Sequence, residues 1–356
     1  MRARTRVPAI VVLLSALALG AAPAAAQQME RLFYYVDSED SFASLQQHID
    51  QVSVVAPQAF KVNQDGVVWG EVDPRVIQLA GQHHVPVMPL IVNPGFDQQM
   101  LHELLTNDVA RHRATQALLE LCRRNGFWGI QFDFEDLSIR DRDAYSRFVK
   151  ETADALHAEN FKLSLAVVHR PDALPGPTAY QAWLFEDWRA GYDLDALAKS
   201  ADFISVMTYS QHTRRTPPGP NAGLPWVRDV VQYFLDHVPA EKLSLGVPTG
   251  SQHWYTSYEP DRIKPEQARS YSEGISYQRA QALIDRNNAE VVWSDQQEVP
   301  YTFYSRGGTF EWIFLEDARS FAAKLGLVDH FHLRGISVWR LGNEDPGIWT
   351  DLKQRG

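Results

Sequence analysis

Two carboxylic acids, Asp133 and Glu135, are the residues of this sequence best placed to do chemistry. They end the stretch 129–135 (GIQFDFE), in which apolar and polar residues alternate. The alternation predicts a β-strand with Gln131, Asp133 and Glu135 on one face and the apolar side chains on the other. Burial and mutual repulsion raise the pKa of one carboxyl group in such a pair, which can then hold a proton at neutral pH and act as an acid.

The same pattern also fits a buried salt-bridge network or a metal site, since structural ion pairs perturb carboxyl pKa values too. The histidine clusters 83–84 and 330–332 lack the spacing of metal ligands. No Gly-rich turn follows the first predicted strand, and no G-x-S-x-G motif is present. We therefore predict no metal and no cofactor, and an acyl-transfer hydrolase has no support.

Two later strands offer side chains that a ligand could contact. In the stretch 205–209, Met207 and Tyr209 share a face with Ser205, and the Tyr209 hydroxyl closes the strand. In the stretch 335–342, Trp339 lies opposite the apolar face and can support a sugar ring. Both aromatic residues could equally be core side chains. Asn93, after the third predicted strand, either contacts a ligand at the rim or starts a turn.

The elements that position these residues alternate regularly between strand and helix. Eight such repeats predict a (β/α)8 barrel, with an open doubly wound sheet as the alternative. The eight predicted strands are Leu32–Val36, Val52–Phe60, Val85–Val92, the stretch 129–135, Lys162–Val168, Phe203–Tyr209, Leu243–Val247 and Gly335–Leu341.

One segment departs from this alternation. Residues 251–312 separate the seventh strand from the helix that precedes the eighth, and they mix helical and strand patterns. Tyr277–Asn287 is typical of a helix, whereas Ala289–Trp293 and Tyr301–Tyr304 are typical of strands. We predict a small α+β insertion at the C-terminal rim of the barrel, where barrel active sites form.

These motifs resemble those of glycoside hydrolase family 18, the chitinase-like barrels. The family's fourth-strand signature, D-x-x-D-x-D-x-E, places its last two acids on Asp133 and Glu135 and its earlier two on Trp128 and Gln131. The stretch is more similar to the spore-germination and cortex-lytic branch, which relaxes the early positions. Met207-Thr208-Tyr209 resembles the family's sixth strand, although Ser210 replaces its aspartate.

The resemblance continues along the chain and covers about residues 32–349. It includes the stretches 221–227 and 245–248, Trp254 after the seventh strand, and the eighth strand with Trp339. It implies a secreted glycosidase that cleaves β-1,4-linked N-acetylhexosamine glycans, chitin-like or peptidoglycan-like, by a retaining, substrate-assisted mechanism. The alternatives are a lectin-like barrel that binds glycan without cleaving it and a glycosidase for another exopolysaccharide.

The resemblance also implies roles for single residues. Glu135 would be the proton donor and later the base, Asp133 would orient the substrate acetamido group, and Tyr209 would bind its oxygen. The expected substrate contacts are Trp339 under the sugar ring, together with Gln131, Met207, Trp254 and Asn93.

The amino-acid composition limits the classes of molecule that this protein is expected to bind. The 356 residues carry a net charge of -10, which argues against nucleic acid as the main partner. Ten Trp and thirteen Tyr suit a carbohydrate groove, although large aromatic residues also fill cores. Cys122 is the only cysteine, so an intramolecular disulfide is excluded. We expect a glycan substrate, no stable membrane insertion and a monomer.

The first 26 residues have the pattern of a cleavable secretory signal. Arg2, Arg4 and Arg6 precede an apolar run, and Ala24-Ala25-Ala26 fits a cleavage site for small residues. We expect a secreted or periplasmic protein with a mature domain over residues 27–356. The alternative is an uncleaved anchor, but the run is shorter than a typical membrane span of ~20 residues.

Overall fold

A computed structural model describes residues 29–257 and 269–355. The expectation for residues 1–26 lies outside these ranges. The strands, numbered in chain order, are β1 (Glu30–Tyr35), β2 (Val54–Val62), β3 (Val68–Gly70), β4 (Leu90–Val92), β5 (Gly129–Asp133), β6 (Lys162–Val168), β7 (Phe203–Met207), β8 (Leu243–Pro248), β9 (Ser251–Ser257), β10 (Arg269–Ile275), β11 (Val292–Ser294), β12 (Val299–Arg306), β13 (Thr309–Phe314) and β14 (Gly335–Trp339).

Eight parallel strands form a closed barrel, which confirms the predicted fold class. They follow the order β1-β14-β8-β7-β6-β5-β4-β2, and the pairing of β1 with β2 completes the ring. The short strand β3 pairs antiparallel with β2 outside the ring. The helices are α1 (Glu39–His48), α2 (Pro74–Gln82), α3 (Gln98–Thr106), α4 (Asp108–Asn125), α5 (Arg142–His157), α6 (Ala179–Leu184), α7 (Leu194–Ser200), α8 (Leu224–Leu235), α9 (Tyr277–Asn287), α10 (Ala318–Phe331) and α11 (Gly347–Gln354).

Local sequence signals explain where several helices begin and end. The Asp73 side chain caps the first turn of α2, and Pro74 follows at the first helical position. Asn107 caps α4, which ends at Gly126 in the left-handed conformation. No helix in the described part of the chain is long and apolar enough to cross a membrane.

The third barrel strand is much shorter than predicted. The sequence predicted Val85–Val92, whereas β4 covers only Leu90–Val92 and a single bridge joins Val87 to Val55. Pro86 and Pro89 lack the N–H group that a strand donates to its neighbour, so the regular ladder begins only after the second proline. Strand β3 and helices α6 and α11 were not predicted.

The two faces of the barrel strands differ in polarity. Outward side chains such as Phe132 and Phe134 pack with the surrounding helices into the main core. Inward side chains form a smaller apolar cluster near the base, which includes Leu32, Val54 and Phe203. Above this cluster the barrel interior becomes polar, and the strand ends there surround a cleft.

The insertion is a five-stranded antiparallel sheet with the order β10-β9-β13-β12-β11, accompanied by α9. It lies between β8 and α10, so the predicted α+β insertion is confirmed as part of the fold. Helix α9 begins and ends at the predicted residues. The predicted strands Ala289–Trp293 and Tyr301–Tyr304 correspond to β11 and β12, while β9, β10 and β13 were missed.

Candidate active site

The carboxyl pair lies at the C-terminal mouth of the barrel. Asp133 is the last residue of β5, and Glu135 follows two positions later. Both line a cavity of about 730 Å³ together with Met207, Tyr209 and Trp339. We call these five residues the cleft floor.

Burial sets the protonation of the pair. It raises the pKa of the Asp133 carboxyl above its ordinary value. Burial is also the main cause that raises the pKa of Glu135, and the charges of Asp133 and Asp136 raise it further. Two carboxyl groups that repel each other in a poorly solvated site cannot both ionise easily, so the pair retains a proton near neutral pH.

The backbone of Glu135 is clamped on both sides by one side chain. Asn93 Nδ2 donates to the Glu135 carbonyl at 2.8 Å, and the Glu135 N–H donates to Asn93 Oδ1 at 3.0 Å. The Tyr192 hydroxyl donates to the carbonyl of Phe134 at 2.5 Å. Asn93 is only 1% exposed and does not line the cavity. Its expected contact with substrate is therefore corrected: Asn93 is a positioning residue for Glu135.

Gln131 also lies below the cleft and not in it. Its Nε2 donates to Ser164 Oγ at 2.9 Å and to Ser205 Oγ at 3.2 Å, and the side chain is fully buried. Ser205 Oγ in turn lies 2.7 Å from Ser337 Oγ, which lies 2.8 Å from Ser244 Oγ. Gln131 thus joins a polar belt across the barrel interior, and its expected substrate contact is corrected to a support for the strands under Asp133.

Trp339 is held from below and from one side. Its ring lies 5.5 Å from that of Tyr34, measured between centroids. The Thr249 N–H donates to the Trp339 carbonyl at 2.8 Å, and Thr249 Oγ1 accepts from the Arg340 N–H at 2.8 Å. Thr249 therefore anchors the backbone on both sides of the Trp339–Arg340 bond. The Trp339 ring itself lines the cavity and is partly exposed there.

Of the other three expected contact residues, two line the cavity and one is buried away from it. Tyr209 lines the cavity, and burial is the main cause that raises the pKa of its hydroxyl, so it stays protonated as a hydrogen-bond donor. Met207 lines the cavity beside it. Trp254 is fully buried, and its Nε1 donates to the carbonyl of Gly219 at 2.9 Å. The expected substrate contact of Trp254 is thus corrected to a packing role that anchors the loop after β7.

Sequence reasoning missed one wall of the cavity. The loops after β6 and β7 contribute Trp183, Trp188, Arg189, Arg214 and Arg215 to its lining. We call these five residues the arginine wall. Trp183 stacks with Tyr180 at 5.9 Å between ring centroids. The available signal was the length of the segment between β6 and α7, which carries two tryptophans and two arginines.

Metal ligation finds no support in residues 29–257 and 269–355. No group of three or more His, Cys, Asp or Glu side chains in these ranges could hold an ion. His83 lies 2.7 Å from the Asp50 carboxylate on the surface, and His332 occupies the left-handed position after α10. The carboxyl pair has no cationic partner among the charges that shift its pKa, so it is not a salt-bridge network either.

Comparison with known proteins agrees with this geometry. A sequence model of the family described as Glycosyl hydrolases family 18 matches residues 31–344. The cortical fragment-lytic enzyme of Bacillus subtilis is 31% identical over 264 residues, which cover 74% of this chain and 58% of that protein. The chain therefore spans less than two thirds of the length of this relative.

Solved structures show the same architecture. A chitinase from Chromobacterium violaceum superposes with a TM-score of 0.80 at 26% identity and covers 92% of this chain and 98% of its own. The spore cortex-lytic enzyme of Bacillus megaterium superposes with a TM-score of 0.80 at 23% identity and covers 94% and 75%. At that lower identity the likeness concerns the fold.

Proposed function

Because the chain belongs to family 18 of the glycosyl hydrolases, we propose that it hydrolyses glycans that contain β-1,4-linked N-acetylhexosamine, chitin-like or peptidoglycan-like. The observation that carries the proposal is the buried pair Asp133 and Glu135 at the barrel mouth. Burial keeps a proton on the pair, and the Asn93 clamp fixes the backbone of Glu135. A positioned carboxylic acid in a cleft is what protonation of a glycosidic oxygen requires.

In the proposed reaction, Glu135 gives its proton to the glycosidic oxygen as the bond from that oxygen to the anomeric carbon breaks. The oxygen of the substrate 2-acetamido group forms a bond to the same carbon, and Asp133 stabilises the positive charge that develops on this group. Water then attacks the anomeric carbon and gives a proton to Glu135 as the bond from the acetamido oxygen to that carbon breaks, which restores the 2-acetamido group. Two inversions at one carbon leave the configuration retained.

The other floor residues fit the ground state of this reaction. Tyr209 lines the cavity, where its hydroxyl would donate to the acetamide oxygen, and the partly exposed ring of Trp339 offers a surface for the sugar. Met207 supplies an apolar contact beside them. Acid–base assistance by a group such as Glu135 typically contributes ~10²–10⁴-fold to a rate.

The test is a digest of purified peptidoglycan and of chitin, with products identified by mass spectrometry and Glu135→Gln as the matched control. We expect N-acetylhexosamine ends from at least one of these glycans and none with the variant. Proton NMR of the first product should show the β-anomer before mutarotation. Glycan that binds but is never cleaved would instead support the lectin-like alternative, for which the loss of an acid at Gln131 is the argument. Cleavage with inversion would contradict the substrate-assisted route.

We also propose that the protein is secreted or periplasmic, on the composition of residues 1–26. N-terminal sequencing of the protein from medium or periplasm tests this directly. A mature chain that begins at Gln27 is expected, and a chain retained in the cytoplasm with its first residues intact would contradict the proposal.

A further inference from the structure

The arginine wall concentrates positive charge in the cleft of an acidic protein. Four arginines line the cavity, namely Arg189, Arg214, Arg215 and Arg340, against the two carboxyl groups Asp133 and Glu135. The chain as a whole has a net charge of -10. Because the carboxyl pair retains a proton, the cleft is cationic at neutral pH, and this favours an anionic ligand.

Arg189 is the most informative of these residues because it is half-buried and its main side-chain contact is a neutral ring. Its Nη2 lies 3.0 Å from His169 Nε2, and its Nε is buried without a hydrogen-bond partner. No carboxylate in the ranges 29–257 and 269–355 lies within ion-pair distance of it, although the charge of Asp172 acts on it from farther away and raises its pKa. Burial lowers the pKa of Arg189 by more than the charge of Asp172 raises it, so a ligand anion would reduce the remaining cost of burying this guanidinium.

His169 holds Arg189 without changing its charge. Burial, together with the Arg189 charge, lowers the pKa of His169 to about 3, so the ring is neutral. His169 Nδ1 lies 3.1 Å from the Met207 carbonyl and donates to it, which leaves Nε2 as the acceptor for the guanidinium. The neutral His169 ring therefore orients the Arg189 guanidinium through a hydrogen bond and does not neutralise its positive charge.

The surroundings of Arg189 supply a further donor and a surface for a sugar. Trp188 Nε1 is buried and has no hydrogen-bond acceptor within residues 29–257 and 269–355. The Arg215 guanidinium lies 4.7 Å from the ring centroid of Trp183. No arginine is among the charges that shift the pKa of Asp133 or Glu135, so this wall is separate from the reacting centre.

We propose that the arginine wall is a subsite for a sugar that carries a carboxylate, next to the N-acetylhexosamine at the cleft floor. Arg189 binds the carboxylate through its planar fork, and Trp183 with Arg215 contacts the sugar. This inference rests on the proposed glycan hydrolysis and narrows its substrate class. The carboxylate belongs either to a lactyl ether substituent or to a uronic acid, and the experiment separates these sources.

Binding is measured by calorimetry in the Glu135→Gln protein, so that turnover does not interfere. The probes are N-acetylhexosamine oligosaccharides that contain lactyl-ether sugars or uronic acids, each with free carboxylates or with the same carboxylates converted to methylamides. For at least one source, we expect the carboxylate form to bind on the order of tenfold more tightly than its amide, because charge-assisted hydrogen bonds are lost. The source with the larger ratio identifies the ligand chemistry.

Variants of Arg189 then locate the effect. Arg189→Met should reduce the ratio to about one, whereas Arg189→Lys, which keeps the charge and loses the fork, should retain part of it. Arg124→Met is the matched control, since Arg124 lies on the surface of α4 paired with Glu120. It should leave the ratio unchanged.

Two results would overturn the inference: equal affinity for carboxylate and amide forms of both sources, or a ratio that survives in Arg189→Met. The first comparison needs no change at Arg189, so a variant that fails to fold does not remove the test. Because binding is measured without turnover, a protein that binds and cleaves glycan but ignores the carboxylate contradicts only this inference. Binding without cleavage by the parent protein contradicts only the proposed hydrolysis.

Discussion

The cleft floor and the arginine wall face the same cavity but are held in different ways. Floor residues lie on strand ends or directly after them and are fixed by buried partners, as Asn93 fixes Glu135 and Thr249 fixes Trp339. The wall lies on the long segments after β6 and β7, where Trp183 is in α6, Trp188 and Arg189 are in the helical turn that follows it, and Arg214 and Arg215 are exposed. In the reaction and the subsite that we propose, the reacting groups are thus held by strand ends, whereas the groups that select among glycans lie on the segments between strand and helix.

The contrast can be tested by separating kcat from KM. A change on the floor should lower kcat, because it disturbs groups that act in the transition state. A change on the wall should raise KM with little effect on kcat, because it removes binding that the ground and transition states share. The predictions below run from the largest expected effect to the smallest.

Glu135→Gln should have the largest effect. The amide cannot donate a proton to the leaving oxygen in the same way, so kcat on glycan should fall by ~10²–10⁴-fold. The affinity for oligosaccharide should stay within about threefold of the parent value, since the side chain keeps its shape. Steady-state kinetics and calorimetry measure the two quantities. Turnover close to that of the parent would remove Glu135 from the mechanism.

Asn93→Ala should have the second-largest effect on kcat. The change leaves the N–H and C=O groups of Glu135 without their partner and lets the carboxyl group shift, so kcat should fall by ~10–10²-fold. The free energy of unfolding should fall by ~1–3 kcal/mol. Kinetics and denaturant unfolding on the same sample measure both effects.

Asn107→Ala is the control for Asn93→Ala. Asn107 caps α4 through bonds from the N–H groups of Val109 and Ala110, far along the chain from Glu135. Its loss should reduce stability by ~1 kcal/mol and leave kcat unchanged. If both asparagine variants lost kcat in proportion to stability, Asn93 would have no specific positioning role.

Arg215→Met on the wall should have a smaller effect, and this effect should be on KM and not on kcat. The exposed guanidinium over Trp183 is lost, so KM should rise by roughly two- to fivefold with kcat nearly constant. The effect should shrink as salt is added, since exposed charges are screened. A fall in kcat of the size seen for a floor variant would show that floor and wall are not independent.

Asp133→Asn should change stability in a pH-dependent way. Because the folded-state pKa of Asp133 is raised by burial, its contribution to stability is present below the ordinary carboxyl pKa and is lost as pH rises through the folded-state value. The neutral amide of the variant does not ionise, so its stability does not fall as the pH rises. Thermal melting should therefore show the variant a few degrees more stable than the parent at about pH 8 and similar to it at about pH 4. The reverse order would contradict burial of an ionisable Asp133.

Much of the fold could be predicted because its signals are local. Alternation along the stretch 129–135 places Gln131 and Asp133 inside the barrel and Phe132 outside, as predicted. Helix α9 begins and ends at the predicted residues, since the Ser276 side chain caps its first turn and Asn288 follows its last turn in the left-handed conformation. The third strand was predicted too long because two prolines do not interrupt an apolar pattern in the sequence, whereas they do interrupt the hydrogen bonds between strands.

The partners of the site residues could not be predicted because they come from distant parts of the chain. Asn93 and Glu135 are 42 positions apart and meet only because β4 and β5 are neighbours. Trp254 was expected to contact substrate because of the resemblance to family 18, but its side chain is fully buried and bonded to the loop after β7. Arg189 has no motif around it, and its contact with the neutral ring of His169 is visible only once its neighbours in space are known.

The central claim is that Glu135 donates the proton to the leaving oxygen. The most direct measurement compares kcat/KM of Glu135→Gln with that of the parent for a glycan and for an aryl glycoside whose phenol leaves without protonation. We predict a loss of ~10²–10⁴-fold on the glycan and a loss at least tenfold smaller on the activated substrate, because kcat/KM reports the step in which the leaving group departs. Equal losses on both substrates would contradict the assignment.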